Sequence, residues 1–298
     1  MARFINPFTD IGFKTIFGQE MSKPLIIHFL NTLLDGEDTI HDISFLDKEQ
    51  PSLYEDDRSL IYDIYCHTDS GRNIIVEMQN RTQPYFKNRS IYYVAEAIAR
   101  QGERGASWHY DIEAVYLVAF LNFTQMDFDQ KFRTDVKLVD IESHKTFSDK
   151  VRLTYLQLPL FDKDAEKCET EFEKWIYVLK HMDTLNRLPW AAKNAVFQRL
   201  EQIADVASLS RSERLKYDEG LRKYRDTLSV LEGARKDGHE EGRAAGRAEG
   251  RAEGRAEGRA EGELSKAFDI ARKLKTLGLS DEQIIASTGL TSEQLSQA

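Results

Sequence analysis

The chain has 298 residues, 41% of them hydrophobic, enough apolar side chain for one large core or for one domain with appendages. A formal net charge of −9 excludes a surface uniformly coated in nucleic-acid-binding charge, while leaving room for a local basic groove. The 2 cysteines, Cys66 and Cys168, lie far apart in sequence and exclude a disulfide scaffold or a cysteine-rich zinc site.

Met1 to Phe17 carries Asp10 and Lys14 and no continuous apolar core, so no secretory signal is expected there. Helical spacing of Phe13, Ile16 and Phe17, and of Leu25, Phe29 and Leu33, predicts a helix over Pro7 to Leu34 that ends at Gly36. A strand-like piece follows at Ile43 to Leu46. Leu60 to His67 and Asn73 to Gln79 are rich in β-formers and flank Asp69-Ser70-Gly71, which predicts a hairpin closed by a left-handed glycine. Asn88 to Glu103 reads as a helix and Ala114 to Phe123 as a buried strand, its apolar run too short to span a bilayer. Further strands are expected at Val136 to Ile141 and Val151 to Leu158. From Asp164 the pattern turns helical, with Phe172, Trp175, Ile176, Leu179 and Met182 on one stripe. Pro189 interrupts, a helix resumes over Trp190 to Ala207, and Ser210 with Glu213 caps another that runs to about Leu231.

Gly238 to Gly262 is built on the unit Gly-Arg-Ala-Glu. Without a bulky apolar residue it cannot bury a core, and glycine at every fourth position costs about 1 kcal/mol each against Ala in a helix. A solvated linker or frayed helix is expected, with a helical assembly on a partner as the alternative. In the tail, Ala267, Ile270, Ala271 and Leu274 are helically spaced. Gly278 ends that helix, and Ser280 with Gln283 and Thr291 with Gln294 cap two short ones in the manner of a small bundle or helix-turn-helix. The expected divisions are 1–232, 233–262 and 263–298.

The chemistry concentrates in the hairpin. With positions pairing symmetrically about Ser70, Asp63 lies opposite Glu77 and Ile61 opposite Gln79, and opposed Cβ atoms stand about 4.5–5.5 Å apart. Asp63, Glu77 and Gln79 then share one face with Ile61, Tyr65 and Ile75, while Ile64, Cys66, Ile74, Val76 and Met78 take the other. Both faces are apolar, so two carboxylates there need compensation. A divalent cation supplies it, Mg²⁺ or Mn²⁺ suiting oxygen ligands; the alternative is ion pairing with Arg58 or Arg72. A two-residue loop would put Glu77 on the other face. His67 shares the Asp63 face and reads as a core or rim histidine. From Arg81 to Gly105, the basic residues Arg81, Lys87, Arg89, Arg100 and Arg104 face only Glu96 and Glu103, interleaved with Tyr85, Phe86, Tyr92 and Tyr93. That pattern suits a phosphate backbone, or an ordinary amphipathic helix with tyrosines in the core. No nucleophile elbow, Walker loop or His-Glu-x-x-His motif is present.

Asp63 followed fourteen positions later by Glu77-Met78-Gln79 resembles the signature of the PD-(D/E)XK superfamily, with Gln79 in the place of the motif lysine. The stretch Phe8 to Phe17 resembles the opening of the transposase-like nucleases, also called recombination-promoting nucleases (Rpn), and Asn88 to Tyr93 resembles the helix that follows their core hairpin. The resemblance covers residues 4–125 well and extends more loosely to about 230; the degenerate repeat and helical tail are also similar to family members. It implies a restriction-endonuclease-like α/β fold, a mixed sheet flanked by helices, with a helical extension and a small helical tail. It implies a metal-dependent DNA endonuclease acting in recombination, mobile-element biology or defence. Asp63 and Glu77 would bind Mg²⁺ or Mn²⁺, Gln79 would orient the attacking water, and Asp10 would complete the metal shell unless it is simply a helix N-terminal charge. Lys14, Arg81, Lys87, Arg89 and Tyr92 would contact DNA. A cytoplasmic protein with no membrane contact, self-associating through repeat and tail, completes the expectation. The rivals are a catalytically degenerate DNA-binding or assembly protein, kept open by Gln79, and an interaction protein built around the repeat.

Overall fold

The computed structural model describes residues 2–37, 39–50, 60–83, 85–102, 109–125 and 130–297. Arg58, Glu103 and Arg104 lie outside the described residues. The chain forms two compact units, Met1–Arg225 and Asp226–Ala298, the first ending seven residues before the expected division at 232.

In the first unit the elements run in the order α1 (Asp10–Phe17), α2 (Lys23–Leu33), β1 (Ile43–Phe45), β2 (Glu49–Gln50), β3 (Leu60–Ile61), β4 (Ile64–Thr68), β5 (Arg72–Gln79), α3 (Phe86–Ala99), β6 (Ala114–Leu121), β7 (Arg133–Val139), β8 (Thr146–Gln157), α4 (Glu171–His181) and α5 (Ala195–Ala204), followed by the first turns of α6 (Arg211–Thr276). The single helix expected over Pro7 to Leu34 is two. Thr9 caps α1, its side chain accepting the Gly12 N–H, so the helix starts after it; Gly18 ends it. Pro24 sits in the first turn of α2, where its missing N–H costs nothing, whereas inside one long helix it would break the ladder. The helix expected over Trp190 to Ala207 is likewise shorter, because Asn194 accepts the N–H groups of Val196 and Phe197 and starts α5 there.

Six strands form one mixed sheet in the order β1-β4-β5-β6-β8-β7, the central β5-β6-β8 trio parallel and the outer pairs antiparallel. β2 and β3 form a separate pair in which Glu49 faces Ile61. The hairpin register is the expected one from Ile64↔Val76 to His67↔Asn73, and Gly71 closes the loop at φ 73°. On one face of the sheet Ile64, Cys66, Ile74, Val76, Val118 and Phe120 meet Phe13, Phe17, Phe29 and Trp175 from the flanking helices. On the other, Tyr65, Ile75, Leu117 and Ala119 meet Phe86, Val94 and Ala97 of α3. This is the helix-flanked, restriction-endonuclease-like α/β architecture. Both cysteines are free and buried.

In the second unit, the last turns of α6 with α7 (Asp281–Thr288) and α8 (Ser292–Leu295) bury Ala271, Ile284, Leu290 and Leu295. Both expected capping boxes are present, Ser280 with Gln283 and Thr291 with Gln294. Ile270, expected on the apolar stripe, is exposed. The repeat departs most from expectation: Gly238 to Gly262 is helical throughout, inside α6. Extending an existing helix avoids the unfavourable nucleation step, and Ala, Arg and Glu are strong helix formers that offset part of the glycine penalty. No helix among the described residues is long and apolar enough to cross a membrane.

Candidate active site

At Asp63 the β4–β5 ladder gives way to a reciprocal exchange. The Asp63 N–H donates to Glu77 Oε1 at 3.1 Å, and the Met78 N–H donates to Asp63 Oδ2 at 2.8 Å. Side-chain acceptors replace the carbonyl partners that continued strand pairing would provide, so β4 begins only at Ile64, and both carboxylates are held at one place on the α3 face. Ile61, expected opposite Gln79, has left the sheet to pair with Glu49 and is 57% exposed.

Glu77 lies on β5 with 4% of its surface exposed. Burial first, and then the negative charge of Asp63, push its carboxyl up to about 8, against the Asp63 N–H, the Arg89 charge and a hydrogen bond from Gln79. Burial also raises Asp63 above the usual carboxylate range, opposed by the Met78 N–H and the charges of Lys14 and Arg89 and reinforced by that of Asp10. Two such carboxyls hold a cation far more readily than two negative charges. Arg72, a candidate neutralising partner, points instead at Ser70 and Glu37.

Gln79 is the neighbour that completes the group. Its Nε2 donates to Glu77 Oε2 at 3.2 Å, and its Oε1 accepts from Gln83 Nε2 at 3.4 Å. Gln83 in turn accepts from Arg89 Nη1 at 2.5 Å. Sequence reading missed Gln83: it follows the strand in an irregular segment, where no periodicity gives a side chain a direction. Arg89 comes from α3, its guanidinium over the rings of Phe86 and Tyr93. Tyr93 lies inward of the helix, T-shaped to Tyr62, while Tyr92 is 51% exposed on the outer side.

The remaining expected site residues divide. Lys14 and Asp10 form an ion pair at the start of α1, close enough for both charges to act on Asp63. Asp10 is therefore engaged by Lys14, and among the described residues no three Asp, Glu, His or Cys side chains gather as a metal site. The expected three-carboxylate shell is not assembled; the chain offers two carboxylates and the Gln79 amide. The two carboxylates are hard oxygen donors that fit Mg²⁺ or Mn²⁺ with water completing the coordination, while Gln79 turns its Nε2 toward Glu77. Arg81 is exposed just beyond β5, and Lys87 is half-buried in the first turn of α3. His67 faces Glu113, its Nε2 3.1 Å from the carboxylate, at the other end of β4.

A helix-flanked mixed sheet with two reciprocal carboxylates on its central hairpin defines a restriction-endonuclease-like protein. The family model described as PD-(D/E)XK nuclease family transposase matches residues 7–234, and the chain belongs to that family. No curated protein and no solved structure matches the chain.

Proposed function

We propose that this protein is a divalent-metal-dependent DNA endonuclease whose centre is Asp63, Glu77 and Gln79. The observation that carries the reading is the buried Asp63–Glu77 pair, whose Glu77 carboxyl is pushed up to about 8 on a strand that could as easily have carried an apolar side chain. Asp63 and Glu77 would hold Mg²⁺ or Mn²⁺, which when bound supplies a more acidic water and charge stabilisation for the phosphate. The chain's own groups do the rest. The neutral Gln79 amide both donates and accepts, so it can orient a water but carries no charge and is no general base. Arg89 and Lys14 bring positive charge to the same place, and exposed Arg81 and Tyr92, with Lys87, extend the surface available to a phosphate backbone.

We assign the repeat and tail to self-association. On an α-helix the Gly, Arg, Ala and Glu positions fall about 100° apart, so the Arg and Glu rows lie on opposite sides with like charges four residues apart within each row. A four-residue unit advances about 400°, so both rows wind around the helix by about 40° per unit, and two parallel copies wrapped about each other would set the Arg row of one beside the Glu row of the other. Recombination, mobile-element biology and defence are the settings that suit such a nuclease. The competing reading is a DNA-binding or assembly protein without cleavage, and the neutral Gln79 favours it. A plasmid-nicking assay with Mg²⁺ separates the two. Cleavage by the parent protein, and its loss in Asp63→Ala and Glu77→Ala variants that keep the parent's circular dichroism, is expected. Wild-type rates in either variant would remove that residue from the site.

A further inference from the structure

A glutamine amide can point either way round, and at Gln79 the two orientations have opposite consequences. With Nε2 toward Glu77 the amide supports the ionised carboxylate; with Oε1 toward Glu77 it opposes the ionised carboxylate and supports only the protonated one. Nothing within Gln79 selects between them, so the selection comes from its neighbours, Glu77 on one side and Gln83 on the other. Arg89 is a donor only. Its Nη1 meets Gln83 at 2.5 Å, so the Gln83 oxygen is the atom that must face it. Gln83 Nε2 is thereby turned toward Gln79, 3.4 Å from Oε1, leaving Gln79 Nε2 for Glu77 Oε2 at 3.2 Å. Arg89 is itself fixed by the Phe86 and Tyr93 rings at 5.2 and 5.6 Å, so the chain of donors begins at an anchored cation.

We infer that Gln83 is a positioning residue: anchored by Arg89, it sets the polarity of the Gln79 amide so that Gln79 donates to Glu77 and keeps that carboxylate ready for a metal ion. The consequence for metal binding rests on the proposed metal site; the hydrogen-bond relay does not. Hydrogen bonds to charged groups exceed neutral ones in strength, so the polarity of one amide is enough to alter cation affinity measurably.

Two substitutions at Gln83 give opposite answers under this inference and under simple electrostatics. Gln83→Glu still accepts from Arg89 but cannot donate to Gln79, so the Gln79 amide is free to turn over. Gln83→Lys loses the acceptor for Arg89 but can still donate to Gln79 Oε1. Coulomb's law alone has the added carboxylate strengthen Mg²⁺ binding and the added ammonium weaken it. The relay has the reverse order: Gln83→Glu binds Mg²⁺ about tenfold more weakly than the parent, about 1.4 kcal/mol, and Gln83→Lys stays within roughly threefold. The dissociation constants are measured by calorimetry on the full chain without DNA, so cleavage does not enter. Glu binding Mg²⁺ as tightly as Lys, or more tightly, overturns the inference. If the parent binds no Mg²⁺, the metal site fails, and the relay is decided in chelator by the unfolding midpoints of Gln79→Ala, Gln83→Ala and the double variant. Non-additive shifts support it and additive shifts overturn it.

Discussion

Replacing Glu77 by Gln should stabilise the metal-free protein at alkaline pH, and the size of the effect follows from where the carboxyl sits. In the unfolded chain Glu77 titrates near 4.5; in the fold it titrates at about 8. A raised folded value means that the unfolded chain gives up the proton first. The contribution of this carboxyl to stability is therefore full below about 4.5, is lost as pH rises, and is gone above about 8. The full interval corresponds to about 5 kcal/mol, at a residue only 4% exposed, so solvent screening removes little of it. Gln at position 77 escapes that penalty but places an amide where Gln79 now donates, which costs about 1 kcal/mol. A net gain of about 2–4 kcal/mol at pH 8.5 remains, which is about 4–16 °C in Tm for a domain of this size. The assay is thermal unfolding in chelator at pH 5 and pH 8.5, repeated with Mg²⁺. The parent should melt lower at pH 8.5 than at pH 5 and recover with Mg²⁺; Glu77→Gln should melt higher than the parent at pH 8.5 in chelator and respond to Mg²⁺ weakly. A parent Tm that does not fall between pH 5 and 8.5, or a Glu77→Gln variant no more stable than the parent at pH 8.5, would refute a buried carboxyl held against ionisation.

Gln79→Ala should lose most of any Mg²⁺-dependent cleavage, because it removes the donor to Glu77 and the contact to Gln83 together; full activity would leave a two-carboxylate site. Gly12→Ala should destabilise the first unit by about 3 kcal/mol or more, since the new methyl would overlap the Asn6 carbonyl oxygen and stand 2.7 Å from Thr9 Oγ1, in the turn that aims α1. An unchanged Tm in Gly12→Ala would show that this turn relaxes freely.

The sequence alone was enough for the hairpin and for the face its carboxylates share. Period-2 alternation, a loop of odd length and a glycine at its end determine which residues share a face, and that local geometry put Asp63 with Glu77 before any tertiary contact was known. The capping boxes of α7 and α8 were legible for the same reason, being hydrogen bonds that close within four residues. What crosses between elements was not legible. The departure of Ile61 to pair with Glu49 depends on a strand from another segment. That the Asp10 and Lys14 charges act on Asp63 depends on where α1 packs, while the choice of Tyr93 over Tyr92 as the inward tyrosine depends on how α3 lies on the sheet. The partnership of Gln79 with Gln83 and Arg89 joins a strand end, an irregular segment and a helix, and no periodicity spans all three. A spacing rule tells which way a side chain points from its own element; which side chain waits on the other side is decided only when the elements pack.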